Sequence, residues 1–172
     1  MKTKYLIIIL IVAVIGFMIL TGFADLHQIQ DITDELPKAG SYGTRDLSEI
    51  EYLVIHHSAV NNQGPLDYAN FHISKGWPGI GYHFVISPNG LIQQTNALET
   101  ISYHVQGYNT KCIGIALSGN LNEAPMTDAQ LGALRALIRK LKRKLPQKVE
   151  IKGHRDFNHT DCPGDFTDIA QI

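Results

Sequence analysis

The sequence predicts an α/β fold: a single domain with a central mixed β-sheet flanked by helices, preceded by an N-terminal transmembrane helix. Three observations carry that prediction. Glu51–His57 (EYLVIHH) is β-rich and apolar on both faces, as an interior strand covered on each side is. Behind a capping box at Thr127–Gln130, leucines recur at helical spacing up to Leu145, and a second apolar run, Cys112–Leu117 (CIGIAL), lies between strand and helix. Tyr5–Ala24 holds twenty residues without one charge.

That uncharged run comes first in the chain. At about 1.5 Å per residue it spans about 30 Å, the hydrocarbon thickness of a bilayer. A cleavable signal has an apolar stretch of about 7–15 residues and a small-x-small exit. Gly22-Phe23-Ala24 offers such an exit, but the run before it is long for a signal, so residues 1–24 read as an uncleaved anchor first and a removed signal second. Lys2 and Lys4 precede the run and hold the N-terminus in the cytoplasm, which exports everything after it to the periplasm or cell surface. Residues 25–46 read as a tether with at most one short helix, because Pro37 and Gly40 break any period. Residues 47–172 are then the folded domain. Without Lys2 and Lys4 the 15 basic side chains become 13 against 16 acidic ones, a net charge of −3. No basic field of that kind points to nucleic acid.

Within the domain, Glu51–His57 ends in two histidines. Successive strand residues point to opposite faces, so at most one of His56 and His57 faces a given site, and the period alone leaves open which. Asp67–Lys75 makes a short helix with Tyr68, Phe71 and His72 inward. Tyr82–Ile86 and Leu91–Gln94 form a hairpin around Pro88-Asn89-Gly90. Alternation puts Tyr82 and Phe84 on one face and His83, a core histidine, with Val85 on the other. Cys112 opens an apolar strand, where a free thiol behaves as a small hydrophobe. In the long helix Leu131, Leu134, Leu137, Ile138, Leu141 and Leu145 make the inner stripe. Arg135, Arg139, Lys140, Lys142, Arg143 and Lys144 make a solvated face, and Pro146 stops the helix. Val149–Lys152 is a last short strand that delivers His154 at its C-terminal end, where α/β folds place functional groups.

The densest chemistry follows that strand: Gly153–Gly164, GHRDFNHTDCPG, with two histidines, a cysteine, two aspartates and a threonine. Imidazole and thiolate together suit zinc, a borderline-soft ion that accepts nitrogen and sulfur donors. His154 with Cys162, or His159 with Cys162, supplies two ligands, and a third must come from elsewhere in the chain. Two cysteines allow at most one disulfide, too little for a stapled scaffold.

Five motifs in order, VIHHSA at 54–59, GYHF at 81–84, HVQGYN at 104–109, IGIALSGN at 113–120 and GHRDFNHTDCPG at 153–164, resemble the zinc-dependent N-acetylmuramoyl-L-alanine amidases. This is the family shared by bacteriophage T7 lysozyme and the peptidoglycan recognition proteins, and the similarity covers about residues 47–170. The resemblance implies that His56, His154 and Cys162 are zinc ligands and that His57 and His159 are not. It implies a catalytic role for Tyr82 and, two positions before the cysteine, for Thr160. His104 matches a position lining the substrate groove, and Asn109 closes the same motif. Three ligands leave zinc one open position, the mark of a catalytic site. The implied activity is hydrolysis of the amide between N-acetylmuramic acid and L-alanine, a bacteriolytic, cell-wall-degrading reaction with peptidoglycan or muropeptides as partner. Members that bind without cutting typically lack the cysteine ligand, which favours an enzyme over a binding module here. Two histidines and a cysteine also suit blue copper, but that site wants an axial ligand such as methionine, and Met126 is the only methionine beyond the anchor.

Overall fold

The computed structural model describes residues 28–172; the predicted anchor over Tyr5–Ala24 lies outside them. Among the described residues no helix is long and apolar enough to cross a membrane. In chain order the elements are β1 (Ile29–Asp31), β2 (Gly43–Thr44), β3 (Tyr52–His57), α1 (Pro65–Ser74), β4 (Phe84–Ile86), β5 (Ile92–Gln94), β6 (Thr100–Ile101), β7 (Cys112–Leu117), α2 (Asp128–Lys144) and β8 (Glu150–Gly153). Six strands make one sheet in the order β1-β5-β4-β7-β3-β8, and β2 pairs with β6 beside it. The sheet is mixed, as predicted: β4, β7, β3 and β8 run parallel, while β5 is antiparallel to β4 through the hairpin.

Parallel pairing is what assembles the site. The C-terminal ends of β3 and β8 emerge at the same edge, and register pairs Ile55 with Gly153. His56 and His154, one residue further on each strand, therefore leave the sheet side by side.

The period-two alternation then sorts the faces. Leu53, Ile55, Ile113, Ile115 and Leu117 join Phe84 and Ile86 under α2, against Ala133, Leu134, Leu137, Ile138 and Leu141. Each such fully buried aliphatic side chain is worth about 1.5–3 kcal/mol, so this face holds the fold. α2 starts where the capping box places it: Thr127 Oγ1 accepts the Gln130 N–H at 3.0 Å and Gln130 Oε1 accepts the Thr127 N–H at 3.2 Å. The opposite face of β7 carries Cys112, Gly114 and Ala116, and their small size leaves room for rings to lie close to the sheet. There Tyr68 and Ala69 of α1 pack with Val85 and Ala116, and Val105 packs with Val54 and Cys112.

Three expectations change. Residues 28–46 are not a tether: β1 extends the sheet beside β5, Ile32 and Leu36 are buried, and so is Arg45. The polar composition hid this, because an edge strand of three residues needs little apolar length. Tyr82 packs with Val85 rather than sharing a face with Phe84, because residues 81–83 precede the regular strand and alternation does not yet apply. Phe71 is 58% exposed, because the inner arc of α1 runs through Pro65, Tyr68, Ala69 and His72 and misses it.

Candidate metal centre

His56 is 2% exposed and sits on the α1 side of β3, with His57 on the α2 side. His57 is spent on structure: its Nδ1 accepts the Leu121 N–H at 3.0 Å. His154 opens a 3₁₀ turn directly after β8, and Asp156 Oδ2 caps that turn on the Gly153 N–H at 2.8 Å. Arg155 folds the rest of the loop back over it. Its guanidinium donates to the Asp161 and Gly164 carbonyls, both at 2.7 Å, and its N–H donates to the Cys162 carbonyl at 2.9 Å. Gly164 permits the fold-back, since φ is +97° and an added Cβ would lie 2.5 Å from the Leu121 carbonyl carbon.

These local devices bring His56, His154 and Cys162 together, with one donor atom from each within 4.8 Å of the others. The Cys162 Sγ is 3.5 Å from His56 Nδ1, and the two imidazole centroids are 4.6 Å apart. With bonds of about 2.05 Å to nitrogen and 2.3 Å to sulfur, a tetrahedral zinc would hold N and S about 3.6 Å apart. The donor set and its spacing fit that ion. His159, the other histidine of the loop, is exposed on the groove wall and stays out of the cluster. Cys112 and Cys162 are both free thiols.

Electrostatics prepare the two imidazoles as neutral donors. Burial, with His104 and His154 alongside, pushes His56 well below the ordinary histidine value. Burial also lowers His154, opposed by its hydrogen bond to Asn158. Burial pushes the Cys162 thiol up to about 11, offset in part by the His57 backbone N–H and the Arg155 charge. A cation binding there must displace that proton, as metals do from coordinating thiols.

Tyr82 stands beside the cluster, its ring centroid 5.4 Å from His56. Its backbone is pinned: the Tyr82 carbonyl accepts from Thr95 Oγ1 at 2.8 Å and Asn96 Nδ2 at 2.6 Å. Burial, then the nearby Cys162 charge, raises the phenol above its usual pKa near 10, so the hydroxyl keeps its proton. Thr160 Oγ1 accepts the Cys162 N–H at 3.2 Å, which turns its own O–H away from that contact. A cavity of about 400 Å³ opens over the cluster, lined by His56, His154, Cys162, Tyr82 and Thr160. It joins a groove of about 730 Å³ walled by Trp77, Tyr103, Gly107, Asn109, His159 and Thr160. His104 sits at the junction of the two, only 7% exposed. Asn109 lines the groove too, but its Oδ1 is turned inward to accept the His104 and Val105 N–H groups at 2.9 and 2.8 Å.

Sequence reading passed over three residues that build this site. Asn158 bonds His154, Arg45 donates to four backbone carbonyls around the 109–112 turn and Leu98, and Trp77 stacks on His72 at 4.6 Å. Only Asn158 carried a signal, its position four residues after a candidate ligand.

The family model described as N-acetylmuramoyl-L-alanine amidase matches residues 46–165. An endolysin of Klebsiella phage KP32 is 31% identical over 123 residues, 67% of this chain and 81% of its own length. A peptidoglycan-recognition protein, SC2 of Drosophila simulans, is 30% identical over 128 residues, 68% of this chain and 70% of its own. Among solved structures, the endolysin and N-acetylmuramoyl-L-alanine amidase LysCS from Clostridium intestinale URNW superposes with a TM-score of 0.74 at 30% identity, covering 84% of this chain and 91% of that one.

Proposed function

The chain belongs to the N-acetylmuramoyl-L-alanine amidase family, and from that premise we propose a zinc-dependent hydrolase that cuts the amide between the lactyl group of N-acetylmuramic acid and L-alanine in peptidoglycan. One observation carries the reading: two neutral imidazoles and a thiol converge within 4.8 Å under a cavity that opens into a long groove. His56, His154 and Cys162 would hold the ion. Zinc bound there supplies Lewis-acid polarisation of the scissile carbonyl and acidifies water, from a pKa of 15.7 towards about 7.

The remaining work falls to the chain. The groove orients the peptide stem so that its first amide lies over the cluster. Tyr82 holds its proton and donates it as a hydrogen bond to the carbonyl oxygen as negative charge develops. Thr160, with one lone pair occupied by the Cys162 N–H, offers its own O–H as a second donor. Burial of His56 and His104 keeps the local dielectric low, which strengthens both contacts.

A binding module without catalysis is the second reading, favoured by the size of the groove and the likeness to a recognition protein. The presence of all three donors together with Tyr82 favours the enzyme. Full-length protein loaded with zinc and given defined muropeptides tests this. Release of a new L-alanine amino group, lost on chelation and restored by zinc, is expected. Binding of the same muropeptides without amine release at full zinc occupancy leaves the binding module instead.

The uncharged run Tyr5–Ala24 supports a domain exported and held at the membrane by its N-terminus. The protein should resist alkaline extraction from membranes and be cut by protease added outside. Recovery of a soluble form beginning near Asp25 would make the run a cleaved signal.

A further inference from the structure

The resemblance gives His104 to the substrate groove, yet both of its ring nitrogens are engaged inside the protein. A backbone carbonyl only accepts hydrogen bonds. The Cys112 carbonyl lies 3.3 Å from His104 Nε2, so that nitrogen carries the ring proton. In a neutral imidazole the other nitrogen is then a lone pair. His104 Nδ1 lies 3.0 Å from His56 Nε2, so His56 must be the donor in that contact. Nε2 of His56 is thereby protonated, and its Nδ1 presents a lone pair to the Cys162 thiol at 3.5 Å, a contact that a cation replaces on binding.

His154 reaches the same state by a different route. Asn158 Nδ2 donates to the Gln106 carbonyl at 3.3 Å, which fixes the amide and turns Oδ1 to His154 Nε2 at 3.1 Å. An amide oxygen accepts, so His154 Nε2 is the N–H and Nδ1 is free. Both contacts trace to one segment, residues 104–106.

That segment is built to stay still. The His104 N–H is held by Asn109 Oδ1, and its ring lies against Gly114, where an added Cβ would come within 2.8 Å of Cγ and Nδ1. His83 abuts the ring edge-on at 5.5 Å. Arg45 Nη1 donates at 2.8 Å to the same Cys112 carbonyl that receives His104, fixing the acceptor as well.

We propose that His104 and Asn158 are positioning residues that lock His56 and His154 as Nε2–H tautomers, so that both Nδ1 lone pairs are presented to one cation beside Cys162. The identity of that cation rests on the zinc-hydrolase reading; the tautomers do not. Partners of this kind to ligating histidines set metal affinity by about 10–100-fold.

The test uses the full-length protein in detergent. Long-range ¹⁵N spectra of the metal-free form at pH 8 should show His56 and His154 both protonated at Nε2. Zinc affinity, read by competition with a chromophoric chelator, should fall about 10–100-fold in His104→Phe and in Asn158→Leu. His104→Asn keeps an acceptor opposite His56, and Asn158→Asp keeps one opposite His154, so both should stay close to wild type. Nδ1–H tautomers in the wild-type protein would overturn the proposal, and that measurement stands even where a variant fails to fold. Wild-type zinc affinity in His104→Phe, with muropeptide binding lost in its metal-free form, would also overturn it and return His104 to the groove. Zinc affinity that depends on both residues without any amine release would sink the amidase reading and leave this one intact. Amine release with no such dependence would do the reverse.

Discussion

His56 and His83 flank the same His104 ring, with centroids 5.1 and 5.5 Å from it, and both are buried. They differ in what the protein does with their nitrogens. His83 Nδ1 takes the Gly114 N–H at 3.0 Å and lies 3.2 Å from the Ser102 hydroxyl, while its Nε2 lies 2.9 Å from both the Thr100 carbonyl and Arg45 Nη2. Both nitrogens of that ring are occupied from within by groups that stay in place. His56 gives one nitrogen to His104 and turns the other to Cys162, where His154 converges. Burial removes water from both rings, so a lone pair held only by a weak thiol donor is open to a stronger ligand. What separates His83 from the candidate ligand His56 is therefore the kind of partner on the nitrogens, fixed structural groups in one case and an exchangeable thiol in the other, not depth or residue type.

The sharpest way to break that contrast is at Cys162. Cys162→Ser replaces a soft thiolate with a hydroxyl that rarely ionises, so zinc affinity should collapse and turnover should fall below detection. The groove around Trp77 and Tyr103 is untouched, so muropeptide pull-down should persist. A serine variant that retains stoichiometric zinc and wild-type kcat would show that the thiol is as dispensable as that of buried Cys112.

The same contrast explains what the sequence could and could not reveal. The mixed sheet, the capped long helix, the hairpin and the core role of Cys112 were legible, because each depends on local periodicity or turn chemistry. So was the donor-rich loop from His154 to Cys162. Which of His56 and His57 turns to the site was not, since alternation fixes that they diverge but not the face each takes. Arg45 and Asn158 stayed hidden for a related reason. Their bonds to the 109–112 carbonyls and to His154 depend on tertiary contacts that no spacing encodes. The 28–46 stretch was misread because its contribution is three strand residues and a few buried side chains rather than a pattern.

A smaller effect is expected at the rim. Tyr82→Phe keeps the ring against His56 and the metal donors but removes the hydroxyl. Its zinc affinity should match wild type while kcat falls about 10²–10³-fold, the usual loss for one oxyanion donor. Thr160→Val also loses the acceptor for the Cys162 N–H, so a modest drop in zinc affinity should accompany a loss in kcat smaller than that of Tyr82→Phe. Equal losses in kcat and zinc affinity for Tyr82→Phe would make the tyrosine a support for the ligands instead.

The last expected effect is read in stability rather than in turnover, and it comes from His72 and His83. Burial holds His72 down to about 4, and it places His83 well below the ordinary value. Both stay neutral in the fold, whereas the unfolded chain protonates them near 6.5. Their contribution is thus complete above pH 6.5 and is lost as pH falls towards 4, where His72 itself takes up a proton. Each adds one proton to the uptake on unfolding, about 1.4 kcal/mol per pH unit inside that window. Zinc cannot offset this, because neither ring is a ligand: His72 Nδ1 is committed to the Gly81 N–H at 3.1 Å. Denaturant unfolding of the metal-free protein at pH 7, 6 and 5 should show this loss, to which the other depressed imidazoles, His56 and His154 among them, add. A His72→Gln variant should unfold with a shallower pH slope, by close to one proton. If instead the variant and the wild type show the same slope between pH 7 and 5, His72 already carries its proton in the native state and burial does not hold it neutral.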